Sequence, residues 1–254
     1  MNAIRAILRM IAFVAITMVL ATRALILLWV TGRFEIIAGD FARWARLNLK
    51  VLGVDLTIKG QFPVEQVLIM PNHRSYLDVV AFPLQRLVVF VAKIEVSRWP
   101  VIGFGTRVVR TVLVDRNDPE SRRNTRKEIQ NRFDDGVSVV VFPEGTTAQA
   151  PEIKPFRPGM FFVAASGEIP IVPVAIEYGT PEDAFVGSAT FVPHFIKTFG
   201  KRRTRMIVSF GPITRDTDGE KLREKVQGWV EAEAATLRQE LGLPEEVSLH
   251  SNPV

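Results

Sequence analysis

Two nearly unbroken apolar runs, Leu87–Ala92 (LVVFVA) and Val137–Phe142 (VSVVVF), constrain this chain more than anything else in it. A half-exposed strand alternates polar and apolar residues. A strand apolar on consecutive residues is covered on both faces, as in parallel sheets layered by helices. Val54–Ile58, Val67–Met70, Thr111–Val114, Val172–Glu177 and Met206–Phe210 also read as strands. Helices are predicted from near Ser75–Tyr76 to Pro83 and over Pro119–Phe133, Gly159–Ser166 and Thr217–Leu241. Strands alternating with helices predict an α/β fold: a single domain over residues 35–254 with a mostly parallel mixed sheet flanked by helices. The last ten or so residues read as loosely ordered.

Residues 1–34 differ in kind. They hold Arg5, Arg9, Arg23 and Arg33 and no acid, so they carry +4 of the net +5, while the rest has 28 basic and 27 acidic side chains. The basic excess therefore belongs to an apolar N-terminus, which points to a membrane surface and not to nucleic acid. Met10–Thr22 is an uncharged run of 13 residues, Arg23 interrupts it, and Ala24–Gly32 adds nine more. Neither piece alone reaches the roughly 20 residues needed to span a bilayer. Joined, they would place Arg23 near mid-membrane at a cost of about 2.5–3.5 kcal/mol. Basic flanks on both sides suit a helix lying in the interface or a re-entrant pair. No A-x-A-like site follows, so a membrane-associating helical segment is expected over residues 1–34, and not a cleaved leader.

The chain has no cysteine, which excludes thiolate metal sites, disulfides and a cysteine nucleophile. His73, His194 and His250 are too scattered for a zinc site. Three places break the structural pattern, each after a strand, where α/β sheets gather their sites. In Pro71-Asn72-His73-Arg74-Ser75-Tyr76-Leu77-Asp78, a histidine, the residue type suited to accept a proton, lies five residues before a carboxylate that could orient it. The two would meet if His73 sits in a turn and Asp78 in the first turn of a helix. Ser75-x-x-Asp78 also fits a capping box, and the two readings are compatible. In Phe142-Pro143-Glu144-Gly145-Thr146-Thr147, backbone N–H groups and hydroxyls could cradle an anion, although Pro and Gly also mark a plain turn. From Gly103-Phe104-Gly105 to Arg116, the terminal guanidinium could bind a phosphate; an ordinary surface ion pair is the simpler reading. Val108 at the third glycine position excludes a dinucleotide fingerprint.

Taken together, these blocks resemble the glycerolipid acyltransferase family of 1-acylglycerol-3-phosphate acyltransferases, the PlsC-like lysophospholipid acyltransferases. Asn72-His73 with Asp78 matches the family's Asn-His-x4-Asp. Gly103–Arg116 resembles its second block, Phe142–Thr146 its F-P-E-G-T, and Ile169–Val174 its apolar segment around a proline. The resemblance implies a membrane O-acyltransferase of phospholipid biosynthesis at the cytoplasmic face of the inner membrane. His73 and Asp78 would form the catalytic pair, and Arg116, Glu144, Gly145, Thr146 and Lys93 would bind substrate. It implies no metal and no cofactor. An acyl carrier protein or coenzyme A thioester would be co-substrate, a lysolipid the acceptor, membrane lipids the partners, and nucleic acid would have no part.

The acceptor expected first is 1-acylglycerol-3-phosphate. Thr147 stands where many lysophosphatidate enzymes have arginine, so lyso-ornithine lipid is the alternative. A thioesterase or lipid hydrolase and a non-catalytic lipid-binding protein are the remoter ones. The chain has no G-x-S-x-G elbow. His194 and His250 read as incidental, the stretch Phe161-Phe162-Val163 as core, and the basic residues 197–205 as a solvated loop.

Overall fold

A computed structural model describes residues 2–84, 86–99, 101–115 and 117–244. The expected tail and His250 lie outside the described residues, as does Arg116. Seven strands form one sheet: β1 (Val54–Lys59), β2 (Leu68–Pro71), β3 (Val88–Lys93), β4 (Val112–Val114), β5 (Ser138–Val140), β6 (Ile171–Tyr178) and β7 (Thr204–Phe210). Their spatial order is β1-β7-β6-β2-β5-β3-β4. Every neighbouring pair is parallel except β6 and β7, so the sheet is mixed but mostly parallel.

The consecutive apolar residues of the central strands divide between two cores. Ile69 and Val140 pack with Leu49, Leu52, Phe195 and Phe199 on one face. Leu68, Met70 and Val139 pack with Phe161, Leu222 and Val226 on the other. Full burial of each such side chain contributes about 1.5–3 kcal/mol. That two-faced cover is why the strands read as continuous and not alternating.

The helices are α1 (Asn2–Thr31), α2 (Ala38–Leu52), α3 (Asp78–Ala81), α4 (Ile102–Val108), α5 (Pro119–Asp134), α6 (Gly159–Ser166), α7 (Phe191–Phe199) and α8 (Gly219–Leu241). Local chemistry sets the ends of the long ones. Asp118 and Asp218 cap α5 and α8, each accepting two backbone N–H groups, and left-handed Gly242 closes α8. Along α8, Leu222, Val226, Val230, Ala234, Leu237 and Leu241 recur at helical spacing and are buried. Helices α2, α4 and α7 were not predicted. None opens on a side-chain cap, α4 contains two glycines and α7 contains Pro193 in its first turn. For α2 the signal was nonetheless present, as Ala45, Leu49 and Leu52 repeat every three or four residues.

The two apolar N-terminal pieces form one continuous helix, α1, so no re-entrant break occurs within it. Its 30 residues are long and apolar enough to cross a membrane by length and composition. One face, with Ala6, Leu20, Ala21 and Ala24, is buried on the body; Ile4, Leu8, Ile11, Val19, Ile26 and Trp29 are exposed. Three of the four arginines serve the fold. Arg5 donates to Gly200 O and Arg9 to the carbonyls of Phe199, Lys201 and Arg202, at the end of α7. Cations are favourable there because the C-terminal carbonyls of a helix carry partial negative charge. Arg23 pairs with buried Asp40 of α2, which supplies the partner a mid-helix arginine needs.

Candidate active site

Strand β2 ends at Pro71, and the loop to α3 carries His73. Buried Asn72 fixes the start of this loop. Its Oδ1 accepts the N–H of Ile176 at 2.7 Å and its Nδ2 donates to Ile176 O at 3.0 Å, so the side chain extends the pairing of β2 with β6. The next backbone is held from the other side. His73 N–H donates to Glu144 Oε1 at 2.6 Å, and His73 O accepts the N–H of Ala148 at 2.9 Å. The imidazole stacks on Phe142, with centroids 3.9 Å apart.

His73 Nδ1 lies 2.8 Å from Asp78 Oδ2. Asp78 opens α3, so the pair meets as a turn residue and a first-turn residue. Its Oδ2 also accepts the N–H groups of Arg74 at 2.7 Å and Ser75 at 2.9 Å. The helix has Leu77 and not Ser75 as its N-cap, so Ser75-x-x-Asp78 is not a capping box; the bond to Ser75 N–H ties the turn before α3, and the same carboxylate faces the imidazole. Its Oδ1 accepts the hydroxyl of Tyr178 at 2.6 Å. Donors surround this carboxylate, which assigns the shared proton to Nδ1 and leaves the lone pair on Nε2. Burial, and next the Asp78 charge, push the Tyr178 phenol well above its ordinary value, so it remains a donor at any physiological pH.

Glu144 is buried, and both its oxygens are engaged by the chain itself. Oε2 accepts the N–H of Lys154 at 2.8 Å, while Oε1 holds His73. Burial raises its carboxyl above the ordinary value; the two N–H donors and the Arg74 charge partly offset this. Gly145 turns the chain back toward Phe142 O with φ of 74°, an angle only glycine adopts without strain.

A cavity of about 600 Å3 opens at the imidazole. His73, Phe142, Gly145, Thr146 and Lys93 line it, as do apolar side chains of α1 and α2, among them Phe13, Leu20 and Trp44. Of the expected site residues, His73, Gly145, Thr146 and Lys93 thus line one cavity. Asp78 stands behind His73, Glu144 lies outside the lining, and Arg116 falls outside the described residues. Gly105 and Thr106, from the Gly103 block, line the same cavity on α4.

A model of the acyltransferase family matches residues 53–177, the stretch that carries this dyad and both loops around it. The chain carries an acyltransferase-family domain. Its curated relatives include the lyso-ornithine lipid O-acyltransferase of Rhizobium meliloti (strain 1021), 29% identical over 66% of this chain and 64% of that one. Mouse lysophosphatidylcholine acyltransferase 2 is 30% identical over 70% of this chain and 34% of its own length. The matched part thus spans less than two thirds of either relative. In fold, the acyltransferase domain and its N-terminal helices resemble the crystal structure of the 1-acyl-sn-glycerophosphate acyltransferase PlsC of Thermotoga maritima. That likeness has a TM-score of 0.73 over 94% of this chain and 98% of that one, at 18% identity.

Sequence reading gave no role to two residues that support this site, Tyr178 and Arg74. Tyr178 is the last residue of β6, a polar aromatic at the carboxyl end of a strand, which was the available signal. Arg74, inside the first block, is 1% exposed. It bonds Glu177 Oε1 at 2.6 Å, Ala148 O at 3.2 Å and Glu152 O, and so braces the loop after Gly145. Asn72 was recognised only as part of a pattern. His194, read as incidental and partnerless, is a satisfied core histidine. Its Nε2 donates to Ala184 O at 3.0 Å, Nδ1 accepts from Tyr76 at 3.1 Å, and burial lowers its pKa. Of the Phe161-Phe162-Val163 stretch, Phe161 is core and Phe162 is exposed. In the basic cluster, Lys201 is bound to Asp183 at 2.7 Å.

Proposed function

We propose that this chain transfers an acyl chain from a thioester of acyl carrier protein or coenzyme A to the hydroxyl of a membrane lysolipid. The observation that carries this reading is His73, held through its backbone, its ring face and Nδ1, with Nε2 left to an apolar cavity. Nε2 takes the proton of the acceptor hydroxyl as that oxygen attacks the thioester carbonyl. The new C–O ester bond forms, the C–S bond breaks, and the proton passes from the imidazolium to the leaving sulfur. Asp78 stabilises the imidazolium and fixes the tautomer. General-base help of this kind is worth about 10²–10⁴ in rate and needs no protein nucleophile.

In this reading Gly145, Thr146, Lys93 and Arg116 contact the substrates, and Glu144 acts through backbone positioning. The exposed apolar face of α1 lies against the cytoplasmic leaflet of the inner membrane, with residues 1–34 as the membrane-associating segment of an acyltransferase domain over 35–254. The first acceptor is 1-acylglycerol-3-phosphate, giving phosphatidic acid. Lyso-ornithine lipid is the second, favoured by the name of the Rhizobium relative and by Thr147 in place of a cation.

One incubation tests the reading: purified protein with a labelled acyl thioester and both lysolipids together. The expected product is a diacyl lipid from one of them. Free fatty acid that neither lysolipid diverts would favour hydrolysis, and no acyl product from the acyl carrier protein or the coenzyme A thioester, each tried in turn, would sink the proposal.

Tyr178→Phe keeps the ring but removes the donor to Asp78 Oδ1. Loss of one hydrogen bond to a charged group is expected to lower kcat about ten-fold. KM for donor and acceptor should stay unchanged, since Tyr178 touches neither. Unchanged kcat would remove Tyr178 from the positioning of Asp78.

A further inference from the structure

The charged side chains lining the cavity do not balance. Asp40, a carboxylate in its wall, is paired with Arg23, and His73 is bound to Asp78. Lys93, Arg126 and Arg157 remain. Among the described residues none of the three forms an ion pair or a side-chain hydrogen bond. An apolar cavity with three uncompensated cations in its wall is electrostatically suited to an anionic ligand.

Arg157 is the best placed of the three. Its backbone N–H donates to Pro143 O at 3.0 Å. The preceding residue, Phe156, is buried and donates its N–H to Gln227 Oε1 at 3.0 Å. Three residues upstream, Lys154 N–H binds Glu144 Oε2 at 2.8 Å, and the other oxygen of Glu144 binds His73 N–H at 2.6 Å. One buried carboxylate therefore ties the stretch 154–157 to the backbone of His73. The Arg157 main chain is anchored while its side chain is exposed and lines the cavity. Two nearby groups cannot do the same work. The Thr147 hydroxyl donates to Phe185 O, and Arg74 is bound to Glu177 and two carbonyls.

We propose that Arg157, with Arg126 as a second cation, receives the anionic headgroup of the acceptor lipid; this rests on the acyl-transfer reading. A guanidinium binds paired anionic oxygens bidentately, whether on phosphate or on carboxylate. The acceptor is chosen over the donor for a chemical reason. In a lysolipid the anionic group lies a few bonds from the attacking hydroxyl, hence near His73. In a pantetheine thioester the phosphate sits at the far end of a long arm from the reacting carbonyl.

The test is steady-state kinetics of the full chain with lysophosphatidate and lyso-ornithine lipid as separate acceptors, varying acceptor and donor in turn. Arg157→Ala is expected to raise the acceptor KM about ten- to hundred-fold. The donor KM should hold, Arg157→Lys should recover part of the loss, and Arg126→Ala should add to it. A rise with lysophosphatidate alone assigns phosphate, and with lyso-ornithine lipid alone carboxylate; either supports the site. An unchanged acceptor KM with both lipids, or a rise confined to the donor, overturns it. Wild-type protein without turnover would instead sink the acyl-transfer reading. In that event calorimetric titration with a short-chain lysophosphatidate still reads the site: weaker binding to Arg157→Ala than to wild type supports it, and equal or absent binding overturns it.

Discussion

Replacing His73 with alanine is expected to lower acyl transfer by at least about 10²–10⁴-fold, the contribution of a positioned general base. The protein should remain folded, because the contacts that organise this loop do not need the imidazole. Glu144 and Ala148 hold the backbone of residue 73, and Asp78 keeps the two N–H donors of residues 74 and 75 and the Tyr178 hydroxyl. The loss to stability is the packing against Phe142, about 0.5–1.5 kcal/mol for an offset aromatic pair, and the Nδ1 hydrogen bond to Asp78, about 1.5–3 kcal/mol. Initial rates with labelled thioester and a circular-dichroism melt measure the two effects. Full activity in the folded variant would end the proposed mechanism. Asp78→Asn should fall in the same range by a different route, since an amide cannot hold Nδ1–H in the tautomer that leaves Nε2 basic.

Arg74→Met is expected to have the largest effect on stability, about 3–5 kcal/mol, the usual cost of removing one partner from a buried ion pair. For a chain of this size that is a fall in Tm of about 10 °C. Arg74 and Glu177 are each 1% exposed, and Arg238 meets the same Glu177 oxygen at 3.2 Å. Burial already holds the Glu177 carboxyl above its ordinary value, and the charges of Arg74 and Arg238 offset only part of that. Without Arg74 the penalty on the charged form grows. A carboxyl raised in the folded state binds its proton more tightly there than when unfolded. Stability therefore falls as pH rises from the ordinary carboxylate range through the raised value, and recovers as pH falls back. The Tm deficit of Arg74→Met should accordingly narrow on acidification, and Glu177→Gln in the same chain should restore part of it. Thermal melts across pH check both, and a deficit independent of pH would show that the loss comes from packing alone.

These two residues mark how far the site can be read from sequence. His73 and Asp78 were legible because their chemistry and spacing are local: five residues, one turn and one helix start. Gly145 was legible for a similar reason, since an abrupt strand end followed by Pro-Glu-Gly demands an unusual backbone angle. Glu144 was visible as a carboxylate that a plain turn does not need, yet not as a clamp, because its partners are backbone N–H groups of residues 73 and 154. The N-terminal arginines read as a membrane-seeking charge. Most of that charge instead ties α1 to the end of α7 and to Asp40, whose helix, α2, had not been predicted.

Sequence by itself determined the α/β architecture, the strand positions and the dyad, because burial on both faces of a sheet and the entry to a helix are written in consecutive residues. The tertiary structure decided which polar atoms are already engaged. Strand order sets β6 beside β2 and so brings Tyr178 to an aspartate 100 residues earlier in the chain. The same order sets Arg74 against Glu177, 103 residues away. It leaves two cavity-lining groups, His73 Nε2 and the Arg157 side chain, without hydrogen-bond or ion-pair partners among the described residues. Hydrogen bonds between distant residues follow from the order in which strands are laid side by side, and that order is a property of the packed sheet that no local stretch of residues specifies.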